Sequence, residues 1–408
     1  MFLTTISLET ARGRLLESAK GWLASKVSIP LNEVLGKIAY EDIPARECIP
    51  MFRRSTVDGY AVIASDTAAA DESTPVFLNL IGKVEIGKSA NISIKSGECI
   101  EVPTGGMLPE GADSVIMWEY TEEFGDSGIV AGQSVAFGEN IVLAGEDAKA
   151  GDVLLKRGRC ILPQDMGALA AAGEVLVSVY APPRITIIST GDEIVPPEDL
   201  PAHGQVRDIN STVLAGLARK YGFKVTSVDI LPDEEEVLLT AVASAMKTSD
   251  IVALSGGSSK GKKDLTLPVF KRVASPGVHT HGIAMQPGKP TILAYDENSH
   301  TILTGLPGHP VSAMMVFELL FGWLMREITG SPPPILIPAR LSSNLATSPG
   351  RLTCTPCRLV PAESGYIAEP LFGQSGLITT LTHADGYFIT GRDTEGRKSG
   401  DVVMVSLF

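Results

Sequence analysis

The chain has 408 residues, 44% hydrophobic and 20% charged, a composition that can bury enough apolar area to offset its ordering entropy and that excludes general disorder. Its length predicts about two to four domains. Lys and Arg number 34 against 47 Asp and Glu, so the formal charge is −13 and no global positive field exists to attract nucleic acid or an anionic membrane; an anionic substrate must meet local cations or a metal.

In residues 7–25, Ala11, Leu15, Leu16, Ala19 and Leu23 recur at helical spacing and predict an amphipathic helix. No basic segment leads into an apolar run with a cleavage site, and five scattered cysteines do not make a disulfide framework, so a cytoplasmic protein is expected. From 51 to 139, short strands fall between Gly and Pro, at 76–81, 84–86, 98–102 and 114–118. This predicts a compact all-β unit, inserted into a domain built from the segments on either side. From 183 onward the rhythm changes. Strands at 185–189, 224–231, 251–254 and 301–303 alternate with helices at 211–220, 234–246 and 311–325, which predicts a mostly parallel sheet covered on both faces, with ligands at the carboxyl ends of its strands. The apolar stretch 314–325 contains Glu318 and falls short of the roughly 20 residues of a membrane span, so it reads as a core helix. Residues 332–408 return to short strands and turns and read as a small β-barrel or sandwich. Cys354 and Cys357 within it have no second Cys or His pair at zinc spacing and read as incidental thiols.

The loops that follow the strands carry the chemistry. One strand runs into Ser189-Thr190-Gly191-Asp192-Glu193, a second into Ser255-Gly256-Gly257-Ser258-Ser259-Lys260-Gly261-Lys262-Lys263-Asp264, and a third into Pro307-Gly308-His309-Pro310. Glycines after a strand let backbone N–H groups turn toward a phosphate, and a following helix N-terminus adds a favourable field. Gly256, Gly261 and Lys262 have Walker spacing, but Lys263 stands where a metal-binding Ser or Thr is required; a phosphate cradle and an ordinary Gly-rich turn both remain open. Asp192, Glu193, Asp208, Asp233 and Asp264 all fall in or beside such loops. One loop carboxylate is most often a cap or a solvated charge, but several at one rim, beside Lys260, Lys262 and Lys263, suit Mg²⁺ and substrate phosphates. Gln286-Pro287-Gly288-Lys289-Pro290 is a rigid turn that presents a lysine. His309 reads as a hydrogen-bonding residue where a helix begins, and His279 and His281 as structural histidines. No nucleophile elbow or His-Glu-x-x-His motif is present.

Taken jointly and in order, these motifs resemble the MoeA/gephyrin-type molybdenum insertases. The resemblance rests on Ser55-Thr56-Val57-Asp58-Gly59-Tyr60-Ala61-Val62, Pro103-Thr104-Gly105-Gly106, Gly145-Glu146-Asp147, the Ser189 to Glu193 loop, Gly204-Gln205-Val206-Arg207-Asp208-Ile209-Asn210, Ser255-Gly256-Gly257 and the Gln286 and Pro307 turns. It implies an elongated discontinuous linker domain at 1–50 and 140–180, an inserted β domain at 51–139, a parallel-sheet molybdopterin-binding α/β domain at 181–330 and a C-terminal β-barrel-like domain at 331–408. It also implies Mg²⁺-dependent insertion of molybdate into adenylylated molybdopterin, with release of AMP, by a homodimer. Asp264, Asp233 and Glu193 would then lie nearest the Mg²⁺, while Asp58, Thr104 and Asp147 would approach from the other subunit. Ser255, Gly256, Gly257, Ser258, Ser259, Lys260, Lys289, Pro307 and Gly308 would hold the pterin and its phosphates. Asp58-Gly59 and Thr104-Gly105 read equally as turn chemistry. Gln286 replaces the first lysine of the family's usual Lys-Pro-Gly-Lys-Pro, and Gly282 stands where a base is common, so anion-binding charge is missing that Lys260 would partly restore. A tungstate-specific paralogue and a non-catalytic cofactor carrier or scaffold are the alternatives. A molybdopterin adenylyltransferase and molybdoenzyme apoproteins are the implied partners, with no nucleic acid and no membrane.

Overall fold

The computed structural model describes residues 5–20, 25–125, 127–256, 265–373 and 376–408. At its centre is a six-stranded sheet. Lys224–Leu231, Arg184–Thr190, Ile251–Ser255 and Thr301–Leu306 run parallel in that spatial order, and Ile292–Asp296 and Pro276–His281 complete one edge antiparallel. The three middle parallel strands are buried on both faces, which is why they read as continuous apolar runs. Successive side chains divide between two cores: Ile187 and Ala253 face one with Leu214, Phe317 and Phe321, while Ile188 and Leu254 face the other with Leu238 and Phe270. The sequence pattern does not predict the antiparallel edge, because Pro276–His281 begins with Pro-Gly, ends in His-Thr-His and has no apolar run.

Helices Asn210–Lys220 and Glu235–Ala245 fall where the periodicity predicts them. The long apolar helix is three continuous pieces: Pro310–Phe317, a π-helical turn Glu318–Gly322, and Trp323–Thr329. A Cβ on Gly322 would lie 2.8 Å from Cζ of Tyr221, so glycine lets that ring rest on the helix backbone. Burial and the neighbouring Glu318 push the Tyr221 hydroxyl well above its ordinary pKa. Glu318 is itself buried, with the Lys220 ammonium 3.8 Å away. Among the described residues no helix is long and apolar enough to cross a membrane.

The first helix, Leu8–Ala19, starts at Ser7, whose hydroxyl accepts from the Thr10 amide at 3.1 Å. Leu23 lies outside the described residues. Leu8, Ala11, Leu15 and Ala19 enter the first core of the α/β sheet. On the sheet edge, Arg14 donates to the His279 carbonyl and the Ser18 hydroxyl lies 3.4 Å from His279 Nε2.

The segments flanking residues 51–139 pair with each other. Lys26–Pro30 runs antiparallel to Leu176–Tyr180, and Ile43–Pro44 to Val153–Leu155, over a core of Val34, Leu155, Ile161, Leu169 and Val177. Between them stands a six-stranded sheet in the order Ser114–Met117, Gly59–Val62, Glu98–Val102, Val76–Lys83, Gly128–Ala131 and Thr121–Phe124. A Cβ on Gly59 would stand 2.0 Å from the Ile116 carbonyl oxygen, so the cross-strand approach requires glycine there. The strand expected at 84–86 does not form, since the chain turns at Gly87 with φ +77°. At the C-terminus, Leu336–Leu341, Leu352–Ala362, Gly365–Pro370, Gly386–Thr390 and Val402–Leu407 form a barrel, closed by pairing of Leu352–Ala362 with Gly386–Thr390. Cys354 and Cys357 are free thiols on one barrel strand: Cys354 packs outward against the α/β core, beside Met315, while Cys357 lies in the barrel core, where burial pushes its pKa up to about 12.

Burial and then the Arg14 charge push the His279 pKa down from 6.5 to about 4. A histidine depressed in the fold contributes stability that is present above the unfolded pKa and is lost as pH falls through the window from about 6.5 to about 4. The thermal midpoint should therefore drop across that interval, and His279→Gln should flatten the drop. An identical slope in the variant would show that docking of the first helix does not exclude the proton.

Candidate functional site

Parallel register brings three strand ends level. Ser189 stands opposite Ser255, and Ser255 opposite Leu306, so the loops that follow open on one rim. Beneath it, the Ser189 hydroxyl and the Ser211 amide both donate to Asp208 Oδ1, at 2.9 and 3.2 Å. Asn210 opens the next helix and lies in the same layer. Its Nδ2 donates to Ser255 Oγ and to the Gly308 carbonyl, each at 2.8 Å. Asp208 and Asn210 are only 5% and 8% exposed, and Asp208 Oδ2 and Asn210 Oδ1 have no hydrogen-bond partner among the described residues. Buried acceptors without donors cost about 1–3 kcal/mol each.

Gly256 has φ +128°, and a Cβ there would lie 2.1 Å from the Thr190 carbonyl oxygen, so the second loop leaves its strand in a conformation reserved for glycine. Ser255 and Gly256 are buried at the strand end. Gly257, Ser258, Ser259, Lys260 and Asp264 lie outside the described residues. The Thr190 hydroxyl donates to Asp233 Oδ1, and the Asp233 amide donates to Asp192 Oδ1 at 3.1 Å. Asp233 is thus half-buried and oriented, whereas Glu193 on the adjoining loop is exposed. Pro307 is buried and Gly308 exposed, just ahead of the helix that starts at Pro310.

That helix links the rim to a cavity of about 510 Å³ between the α/β domain and the barrel, lined by Gln286, Lys289, Ser312, Arg351, Thr353 and Thr355 among others. The junction is covalently remote but hydrogen-bonded, since Met285–Gln286 pairs in parallel with Leu352 and Thr353 of the barrel. A Cβ on Gly288 would lie 2.4 Å from Val316 Cγ2, and the Gly288 carbonyl accepts from the Thr291 hydroxyl at 2.7 Å, so the turn that carries Lys289 is pressed onto the helix and fixed there. Lys289 is half-buried, and Arg351 and Gln286 are exposed at the mouth. Two cations and several hydroxyl donors around one cavity suit an oxyanion.

On the inserted sheet, the Thr104 amide donates to Asp58 Oδ1 at 2.8 Å, so those two residues meet. The Asp147 amide donates to the Ile49 carbonyl at 3.0 Å. All three side chains are exposed, and no hydrogen bond or ion pair among the described residues joins them to Glu193 or Asp233. Sequence reasoning assigned no role to Asn210, Ser312 or Arg351. Asn210 stood in a quoted motif, but only tertiary structure shows its amide spanning two loops. Arg351 is brought to Lys289 by the barrel.

Comparison with known proteins agrees with this architecture. The models of the MoeA N-terminal region (domains I and II), the probable molybdopterin binding domain and the MoeA C-terminal region (domain IV) match residues 6–173, 186–326 and 338–408. A putative molybdopterin biosynthesis protein of Methanocaldococcus jannaschii is 32% identical, over 93% of this chain and 91% of its own. A molybdopterin molybdenumtransferase of Staphylococcus epidermidis is 30% identical, over 99% and 96%. The crystal structure of a molybdopterin biosynthesis MoeA protein of Pyrococcus horikoshii superposes with a TM-score of 0.81 at 32% identity, over 99% of both chains. Fold and strand-end site therefore define a multidomain enzyme of molybdenum cofactor biosynthesis built on a molybdopterin-binding α/β domain. The chain belongs to the MoeA family and is an enzyme of the molybdopterin molybdenumtransferase type.

Two outcomes follow from this geometry. Asn210→Ala removes the donor shared by Ser255 and Gly308, and should lower unfolding free energy in urea by about 1–3 kcal/mol. Gln286→Lys adds a third cation at the mouth of the Lys289 cavity, and should tighten molybdate binding by about 0.2–1 kcal/mol in a titration, the gain shrinking as salt rises. Unchanged affinity would place residue 286 outside the oxyanion's reach.

Proposed function

We propose that the protein inserts molybdate into adenylylated molybdopterin in a Mg²⁺-dependent reaction that releases AMP, working as a cytoplasmic homodimer. The observation that carries this reading is the cavity lined by Lys289 and Arg351, joined through one helix start to the rim of Asp233, Asn210 and Ser255. A tetrahedral oxyanion and a phosphorylated pterin need neighbouring anion-binding places, and this arrangement offers them.

Cleavage of a phosphoanhydride asks for charge stabilisation more than for a covalent nucleophile, so no catalytic triad is required. Lys289 and Arg351 attract and orient the oxyanion. Ser255 and Gly256, with Gly257, Ser258, Ser259 and Lys260 beyond them, receive the phosphates, while Pro307 and Gly308 shape the opposite wall. The buried Asp208 and Asn210 oxygens supply acceptors to N–H groups of a heterocycle, which would offset the cost of leaving them unpaired.

The carboxylates fit Mg²⁺ in kind. All are hard oxygen donors, Asp233 is oriented through one oxygen by Thr190, and Mg²⁺ usually takes one or two carboxylates plus substrate phosphates rather than a closed protein cage. Asp233, Glu193 and Asp264 would hold the ion, which when bound neutralises phosphate charge. Asp58, Thr104 and Asp147 are exposed and, among the described residues, have no hydrogen bond or ion pair to Glu193 or Asp233, which supports their being supplied across a dimer.

The test is to supply adenylylated molybdopterin with Mg²⁺ and molybdate, together and singly, and to follow AMP and metal incorporation. AMP should appear only with both, and Asp264→Ala should lower the rate by about a hundredfold or more with little change in thermal midpoint. Mixing Asp58→Ala with Asp264→Ala should recover activity, because one heterodimer then keeps one intact site. Steady AMP formation in excess EDTA would overturn the reading, and no recovery after verified subunit exchange would restrict each site to a single chain.

A further inference from the structure

We propose that the protein has a second anion-binding site, for an organic oxyanion with a flat apolar body, between its first helix, its last α/β helix and the outer wall of the barrel. A cavity of about 580 Å³ opens there, and it shares no lining residue with the one beside Lys289. Arg12 reaches it from Leu8–Ala19 and Arg326 from Trp323–Thr329. The Arg12 Nε donates to the Leu319 carbonyl at 2.9 Å, and its guanidinium lies 5.1 Å from the centre of the Trp323 ring. Trp323 and Arg326 are three residues apart, hence neighbours on one helix face.

Both arginines are half-buried, and neither forms an ion pair among the described residues. The charges oppose one another: burial first and then the Arg326 charge hold the Arg12 pKa below its ordinary value. The acids whose charges act on Arg12, Glu9 and Glu327, are exposed and form no ion pair with either guanidinium, although Glu327 lines the cavity. Two partly desolvated cations that share a cavity with a single exposed carboxylate, paired with neither, are costly, and an anion offsets that cost. Guanidinium forks match the oxygens of a carboxylate or phosphate. Apart from Glu327 and the hydroxyls of Ser331 and Ser406, the rest of the wall is apolar or aromatic, with Tyr387, Ile389 and Met404 supplied by the barrel and Trp323 by the helix. That lining suits a planar hydrophobic body behind the anionic head.

The experiment is calorimetric titration of the full chain with phenyl phosphate, benzoate and inorganic phosphate. Phenyl phosphate or benzoate should saturate one site, more tightly than inorganic phosphate, and the tighter of the two identifies the preferred head. Arg326→Gln should weaken that ligand about tenfold or more, Glu327→Gln should tighten it, and Lys289→Gln should leave it unchanged. Failure of both aromatic anions to bind at millimolar concentration overturns the proposal. So does an affinity indifferent to Arg326→Gln, or one lost in Lys289→Gln. Should Arg326→Gln not fold, Glu327→Gln decides: an affinity that does not rise overturns the proposal.

Discussion

One amide sets the geometry on which the rest of the site depends. Asn210 donates simultaneously to Ser255, where the Gly-rich loop departs, and to Gly308, where the last helix begins. The strand register alone brings those ends level, but level ends can splay, and the bridging amide fixes their separation. It can do so only because Gly256 passes within van der Waals distance of the Thr190 carbonyl without a side chain. Asp208 acts in the same layer, tying Ser189 to the start of the helix that carries Asn210. The rim is therefore held from below by polar groups in an otherwise apolar domain, and two of their oxygens have no donor among the described residues.

The sheet was legible where burial leaves an unbroken trace. Arg184–Thr190, Ile251–Ser255 and the helices beside them follow from continuous apolar runs alternating with helical periodicity, because each of these middle strands is covered on both faces. Pro276–His281 opens on Pro-Gly and holds one β-branched aliphatic residue, Val278, so it left no such trace. Of the site, the glycines and carboxylates of the loops could be read directly, since turn chemistry is local. Encounters could not: Asp58 and Thr104 are 46 residues apart, and Arg351 reaches the Lys289 turn only because a barrel strand pairs with Met285 and Gln286. Asn210 was hidden for another reason. An asparagine at a helix start is ordinary, and nothing local announces that its amide spans two loops.

The barrel takes part in both cation-lined cavities. Its strand Leu352–Ala362 supplies Thr353 and Thr355 to one, while Tyr387, Ile389 and Met404 from two other strands face the second. A closed barrel has no free edge and little freedom to deform, so it behaves as a rigid body whose position against the α/β domain determines the shape of each cavity.

The Met285–Gln286 ladder gives that position a thermodynamic meaning. If an oxyanion held by Lys289 and Arg351 favours one seating of the barrel, linkage requires that seating to favour the oxyanion by the same factor. Occupation of the Arg12 and Arg326 cavity would bias the identical equilibrium from the other side. The chain would then add the two binding events into one quantity, the population of the seated barrel, and a ligand with no contact to the strand-end rim could raise or lower the oxyanion's affinity there.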